Sequence, residues 1–130
     1  MWVTTGANAI NNKPRYQQPR YRASCLIGSS KRRAGKRGLP HTITTDDIEQ
    51  RIANGVCELT GLPFVLETDY EWTNHPMAPT IDRIDPNRGY VPENIQMVCA
   101  GINQLKSQYP TTVVRVLAKA YLKATNGVKL

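Results

Sequence analysis

Every acid in the chain lies in one stretch. All ten Asp and Glu residues fall between positions 46 and 93, where only three Arg accompany them, whereas residues 1–45 hold nine Lys or Arg and residues 94–130 hold five, with no acid in either flank. Basic flanks suit contacts with a polyanion. Carboxylates at the centre of such a chain suit another task, such as holding a metal ion whose charge cancels the repulsion. Solubility alone is better served by mixed charges, so the segregation points to nucleic acid. Within the first flank, Pro14-Arg15-Tyr16-Gln17-Gln18-Pro19-Arg20-Tyr21-Arg22 is a near-repeat. Arg15, Arg20 and Arg22 there offer phosphate contacts, interleaved with Tyr16 and Tyr21 as rings that can stack on bases. Lys31, Arg32, Arg33, Lys36 and Arg37 form a second basic cluster. The cysteines at 25, 57 and 99 are an odd set with no CxxC pair, which excludes a disulfide framework and an intact zinc ribbon.

The elements that position these groups must fit in 130 residues at net charge +7, 40% hydrophobic. That allows one small domain with a modest core. No stretch reaches the roughly 18–20 apolar residues of a membrane span, and the N-terminus lacks the order of a secretory signal. The expectation is a soluble, cytoplasmic protein with no membrane partner. Residues 1–22 read as a flexible basic arm, since Pro at this density opposes helix. From Ala23 the spacing of Ala23, Leu26, Ile27, Ser30 and Ala34 predicts a helix with the basic cluster at its C-terminal end and Gly38 as its stop. His41 to Thr45 reads as extended, and Thr45 as the cap of a helix carrying Ile48 and Ile52 inward. A turn at Cys57–Pro63 leads to a short strand around Phe64–Leu66, and residues 67–79 read as loop. Strands are predicted at 79–84 and 95–99, joined by a loop too long for a tight hairpin and therefore a candidate functional loop. A helix over 100–107 should turn Ile102 and Leu105 inward. Thr111-Thr112 caps a last helix whose stripe is Val113, Leu117, Ala120, Tyr121 and Ala124, with Arg115, Lys119 and Lys123 as a basic ridge.

Asp82 on the first strand, Asn94 at the end of the long loop and Asn103 on the helix make the strand–loop–strand–helix stretch the most specific part of the chain. Pro79 to Ser107, PTIDRIDPNRGYVPENIQMVCAGINQLKS, resembles the ββα-metal finger of HNH (His-Me finger) endonucleases. The likeness is greatest to a phage-type branch with a DRID…GY…N…N..K signature. Gly38-Leu39-Pro40, Ile43-Thr44 with Asp47-Ile48, and the Cys57, Gly61, Pro63 turn extend the likeness over about residues 23–125. It implies an α+β fold, with residues 23–127 as an HNH-like domain built on a ββα core at about 79–108 and flanked by helices. It further implies a phosphodiester hydrolase acting on DNA, double-stranded first, while the Arg/Tyr arm keeps RNA as an alternative. A Mg²⁺ or Mn²⁺ ion would be held by Asp82 and Asn103, the oxygen donors such ions take. Asn94 would brace the loop, and Arg88 and Lys106 would join Lys31, Arg32, Arg33, Lys36 and Arg37 on phosphates.

Two departures from the family pattern carry expectations of their own. Arg83 stands where the family places a His that takes a proton from water, and a guanidinium cannot do so at neutral pH. Arg83 then grips the phosphate, leaving His75, His41 or Asp85 to activate water, and a non-catalytic binding protein of the same fold is the alternative. Thr60 and Ile102 occupy the partner positions of two CxxC knuckles, so no structural zinc is expected and Cys57 and Cys99 should be small buried hydrophobes near one another.

Overall fold

A computed structural model describes residues 17–66 and 75–127. The first helix, α1 (Pro19–Arg37), begins four residues before Ala23, because Pro at the first helical position lacks only an N–H that has no intrahelical partner anyway. Arg20, Tyr21 and Arg22 of the expected arm therefore belong to α1; Arg15 and Tyr16 lie outside the described residues. Ala23, Ile27, Ser30 and Ala34 form the buried stripe, and Gly38 ends the helix in the left-handed region at φ 65°. Helix α2 (Thr45–Ala53) is capped by Thr44 rather than Thr45: its hydroxyl accepts from Asp47 N–H while the Asp47 carboxylate accepts from Thr44 N–H, a reciprocal box. Ile48 and Ile52 face inward as their spacing predicts.

Strands β1 (Pro79–Arg83) and β2 (Ile95–Cys99) pair antiparallel with Asp82 opposite Gln96. On its other side β2 meets Glu58: Glu58 N–H donates to Met97 O at 2.8 Å, and Met97 N–H donates to the Glu58 carboxylate at 3.0 Å. The carboxylate stands in for a strand, closing an edge that would otherwise be open. Arg51 joins α2 to the same place through Glu58, Pro92 O and Ile95 O. Residues 64–66 form no strand; an isolated bridge, Val56 to Pro63, and backbone bonds such as Cys57 N–H to Leu62 O and Phe64 N–H to Gly55 O, both 2.8 Å, close that turn.

Helix α3 (Ala100–Gln108) follows β2 directly, and α4 (Thr111–Ala124) comes after Pro110. Ile48, Ile52, Ile81, Tyr90, Ile95 and Met97 pack with the α1 stripe as the main core, while Cys57, Val98 and Cys99 form a second cluster with Phe64, Met77 and Ile102. One expectation fails at the C-terminal end, and one apolar stripe lies uncovered. Leu105 is 45% exposed, and α4 buries none of its residues, with Leu117 54% and Tyr121 60% exposed. Its periodic stripe is real, yet no described element lies over it.

The loop joining the strands is held by a close backbone approach. Tyr90 N–H donates to Pro40 O and Thr42 N–H to Tyr90 O, both at 2.9 Å. Gly89 sits so near that a Cβ there would stand 2.3 Å from Pro40 O and 2.8 Å from its Cδ. Backbone cannot yield as a side chain does. Gly89→Ala should therefore destabilise the domain by about 2 kcal/mol, as overpacking does, seen as a lower urea midpoint at unchanged slope. An unmoved midpoint would show that the 40–42 segment adjusts without penalty.

Candidate active site

Side chains alternate along β1, so Thr80 and Asp82 share one face and Ile81 and Arg83 the other. Helix α3 lies against the first face. Asn103 Nδ2 donates to Thr80 Oγ1 at 3.1 Å and to Ile81 O at 3.3 Å, and Thr80 Oγ1 donates to Val98 O at 2.8 Å. These bonds fix the amide with its nitrogen toward β1, leaving Oδ1 available as an acceptor. Asp82 has its side chain 11% exposed. Its Oδ2 accepts from Gln96 Nε2 at 2.8 Å and forms an ion pair with Lys106, one helical turn beyond Asn103.

A cleft of about 620 Å³ opens over these groups, and Arg33, Asp82, Arg83, Tyr90, Asn103 and Lys106 are among its walls. On the far wall the Arg83 guanidinium lies 5.0 Å from the centre of the Tyr90 ring and donates to Pro86 O at 2.8 Å. Arg33 Nε donates to the Tyr90 hydroxyl at 3.0 Å. One ring thus holds two cations from different elements at one edge of the cleft, each partly committed and partly open. Tyr90 is 3% exposed and was missed as a site residue; its place in the Gly89-Tyr90 pair beside the basic cluster was the available signal. Asn94, 1% exposed, accepts from Asp85 N–H at 3.0 Å and donates to Asp85 O at 3.1 Å and Gly89 O at 2.9 Å. It binds the loop to itself.

The other candidates lie elsewhere. His75 sits ahead of β1 with Nδ1 accepting from Met77 N–H at 3.0 Å, and it is not among the cleft walls. His41 is a strut: the Ser30 hydroxyl donates to Ile27 O at 2.9 Å, so its oxygen accepts from His41 Nε2 at 2.7 Å. Burial holds the His41 imidazole below its ordinary pKa, and the Lys31 charge adds to the effect. Asp85 Oδ1 accepts from Asn87 N–H at 2.9 Å, closing the turn at Pro86. Arg20 pairs with Asp46 and Glu49, and Arg22 is buried at 7% exposure, so the structure places Arg22 inside the domain rather than on a phosphate-facing surface. Tyr21 is half-buried in α1. Lys31, Arg32, Lys36, Arg37 and Arg88 are exposed, with Arg37 donating to Pro86 O at 3.2 Å. Lys106, set among the phosphate contacts by the resemblance, pairs with Asp82 in this structure.

Among the described residues no three of His, Cys, Asp and Glu gather round one point. The donor set in the cleft is smaller and harder: the Asp82 carboxylate and the Asn103 amide oxygen. Two oxygen donors facing a wet cleft fit Mg²⁺ or Mn²⁺, which keep several waters for a phosphate to replace; they do not fit zinc. Cys57 and Cys99 lie together in the second cluster, both buried. Burial pushes the Cys57 thiol up, but hydrogen bonds from the Thr60 hydroxyl and neighbouring backbone groups outweigh it and bring the thiol to about 7, while Cys99 is raised by burial and by its neighbour.

Neither a family model nor a curated protein matches the chain. Among solved structures, it is similar to PacI, described as a rare-cutting HNH restriction endonuclease that perturbs DNA, at 24% identity and a TM-score of 0.53 over 81% of this chain and 80% of that one. The shared property is the fold: a small α+β protein with helices round a two-stranded antiparallel sheet.

Proposed function

We propose that the chain is a metal-dependent DNA endonuclease of the HNH type, in its phage-type branch. The observation that carries this reading is the convergence of Asp82 and Asn103 on one cleft whose opposite wall presents Arg33 and Arg83. A divalent cation bound there would clamp the scissile phosphate and stabilise the leaving 3′ oxygen. Asp82 and Asn103 hold it. Arg83, kept in place by the Pro86 carbonyl and the Tyr90 ring, pairs with a non-bridging phosphate oxygen and meets the negative charge that grows there. Lys31, Arg32 and Lys36 on the exposed face of α1 carry the flanking phosphates, which position the duplex without reading its sequence.

One observation favours a second reading. The ammonium of Lys106 already neutralises Asp82, as it would in a DNA-binding protein that has lost the chemistry. Incubating supercoiled plasmid with the full chain separates the two. Nicked or linear product with Mg²⁺ or Mn²⁺, abolished by EDTA, is expected. Mobility-shifted but intact plasmid under both metals would leave the binding protein, and preference for structured RNA in competition would move the substrate class.

A further inference from the structure

The Asp82 carboxylate faces two claimants. Its Oδ2 is taken by Gln96 and Lys106, while Oδ1 and Asn103 Oδ1 receive no hydrogen bond among the described residues and line the same cleft. An ammonium held on a carboxylate cancels the charge that a divalent cation needs. Were the cation to arrive with Lys106 in place, two like charges would share one oxygen at close range in a partly buried site, with Asp82 11% and Lys106 31% exposed. Among the described residues this pair alone fastens the ammonium. Lys106 lies at the cleft wall on a flexible four-carbon stem, so it can leave without moving α3.

We propose that Lys106 is a displaceable internal counter-ion, occupying Asp82 when no cation is bound and released into the cleft when one binds. This rests on the reading of Asp82 and Asn103 as cation ligands. Gln96 stays in both states, because an amide donor to Oδ2 opposes no charge and keeps the carboxylate oriented. The released ammonium meets the phosphate of a bound nucleic acid, which supplies the counter-charge it has lost. Cation and polyanion thus assist each other's binding by the same factor. Without DNA the site is held neutral and binds the cation weakly.

Mn²⁺ binding to the full chain, followed by the electron paramagnetic resonance of the free ion, tests this without any cleavage assay. Lys106→Met keeps the stem and removes the charge, and it should bind Mn²⁺ about fivefold more tightly, the scale of one partly exposed ion pair. Arg33→Met removes another cation from the same cleft that does not touch Asp82; it should tighten binding by less than about threefold, through screened Coulomb forces alone. Asp82→Asn should abolish the site. Lys106→Gln repeats the test if the Met variant does not fold, as judged by its melting curve. Unchanged affinity in the Lys106 variants, or an equal gain from Arg33→Met, overturns the displacement while leaving the cation site standing. Mn²⁺ binding that is absent in every variant, or indifferent to Asp82→Asn, overturns the cation site and the displacement together.

Discussion

Asp82→Ala should bind supercoiled plasmid at least as tightly as the wild type and leave it uncut. Losing the carboxylate removes the only charged oxygen donor among the described residues of the cleft walls, and the expected fall in nicking rate is about 10²–10³-fold or more, the effect of deleting one preorganised electrostatic contact. Binding moves the other way. The variant carries one negative charge fewer and sets the Lys106 ammonium free, so the cleft gains attraction for phosphate. Folding should survive, since a pair with one partner 31% exposed contributes about 1 kcal/mol or less and Lys106 can turn to water. Rates come from agarose-gel time courses with Mn²⁺, affinities from filter binding in EDTA at several salt concentrations. Wild-type nicking by the variant would remove Asp82 from the chemistry, and loss of both cutting and binding would mark a folding defect instead.

The resemblance, not the spacing, paired Asp82 with Asn103; the structure brings both to one cleft by short-range geometry that the Lys106–Asp82 pair does not share. Two-residue alternation puts Thr80 and Asp82 on one face, and a helix that starts straight after β2 must lie back across the sheet, which brings Asn103 over that face. These are local rules. The Lys106–Asp82 pair joins residues 24 apart, and the register of α3 against β1 makes it; the resemblance had set Lys106 among the phosphate contacts. Arg22 was misread for the same reason. Its burial inside α1 is invisible in a run of Pro, Arg and Tyr, and Pro19 was taken as a helix breaker although it stands at the one helical position that tolerates it. For α4 the periodicity identified the apolar face, which the described residues leave uncovered. A hydrophobic stripe records a helix's own symmetry, whereas covering it needs a second surface, and none of the described elements supplies one.

The loop illustrates the opposite case, in which one side chain does what no local rule demands, and Asn94→Ala should show it with the largest stability loss among single substitutions near the cleft. Asn94 is 1% exposed, and its three hydrogen bonds satisfy the N–H and C=O of Asp85 and the C=O of Gly89. Alanine leaves those backbone groups without a partner where little water reaches. At about 1 kcal/mol for each lost bond the penalty is about 3 kcal/mol, or a melting midpoint lower by roughly 10 °C. Arg83 leans on Pro86 O within the same loop, so cutting should fall further than the folded fraction does. Asn94→Asp separates shape from bonding. It keeps the volume and the acceptor for Asp85 N–H, but it sets a carboxylate against two carbonyl oxygens, which raises its folded pKa above the unfolded one. The native state then holds the proton more tightly, so this variant should be the less stable of the two at neutral pH and recover as the pH falls through the folded pKa, where the acid form donates again. Calorimetric melts of both variants at neutral and mildly acidic pH read the difference. Equal, pH-independent midpoints would mean that packing, not the amide's donors, closes the loop.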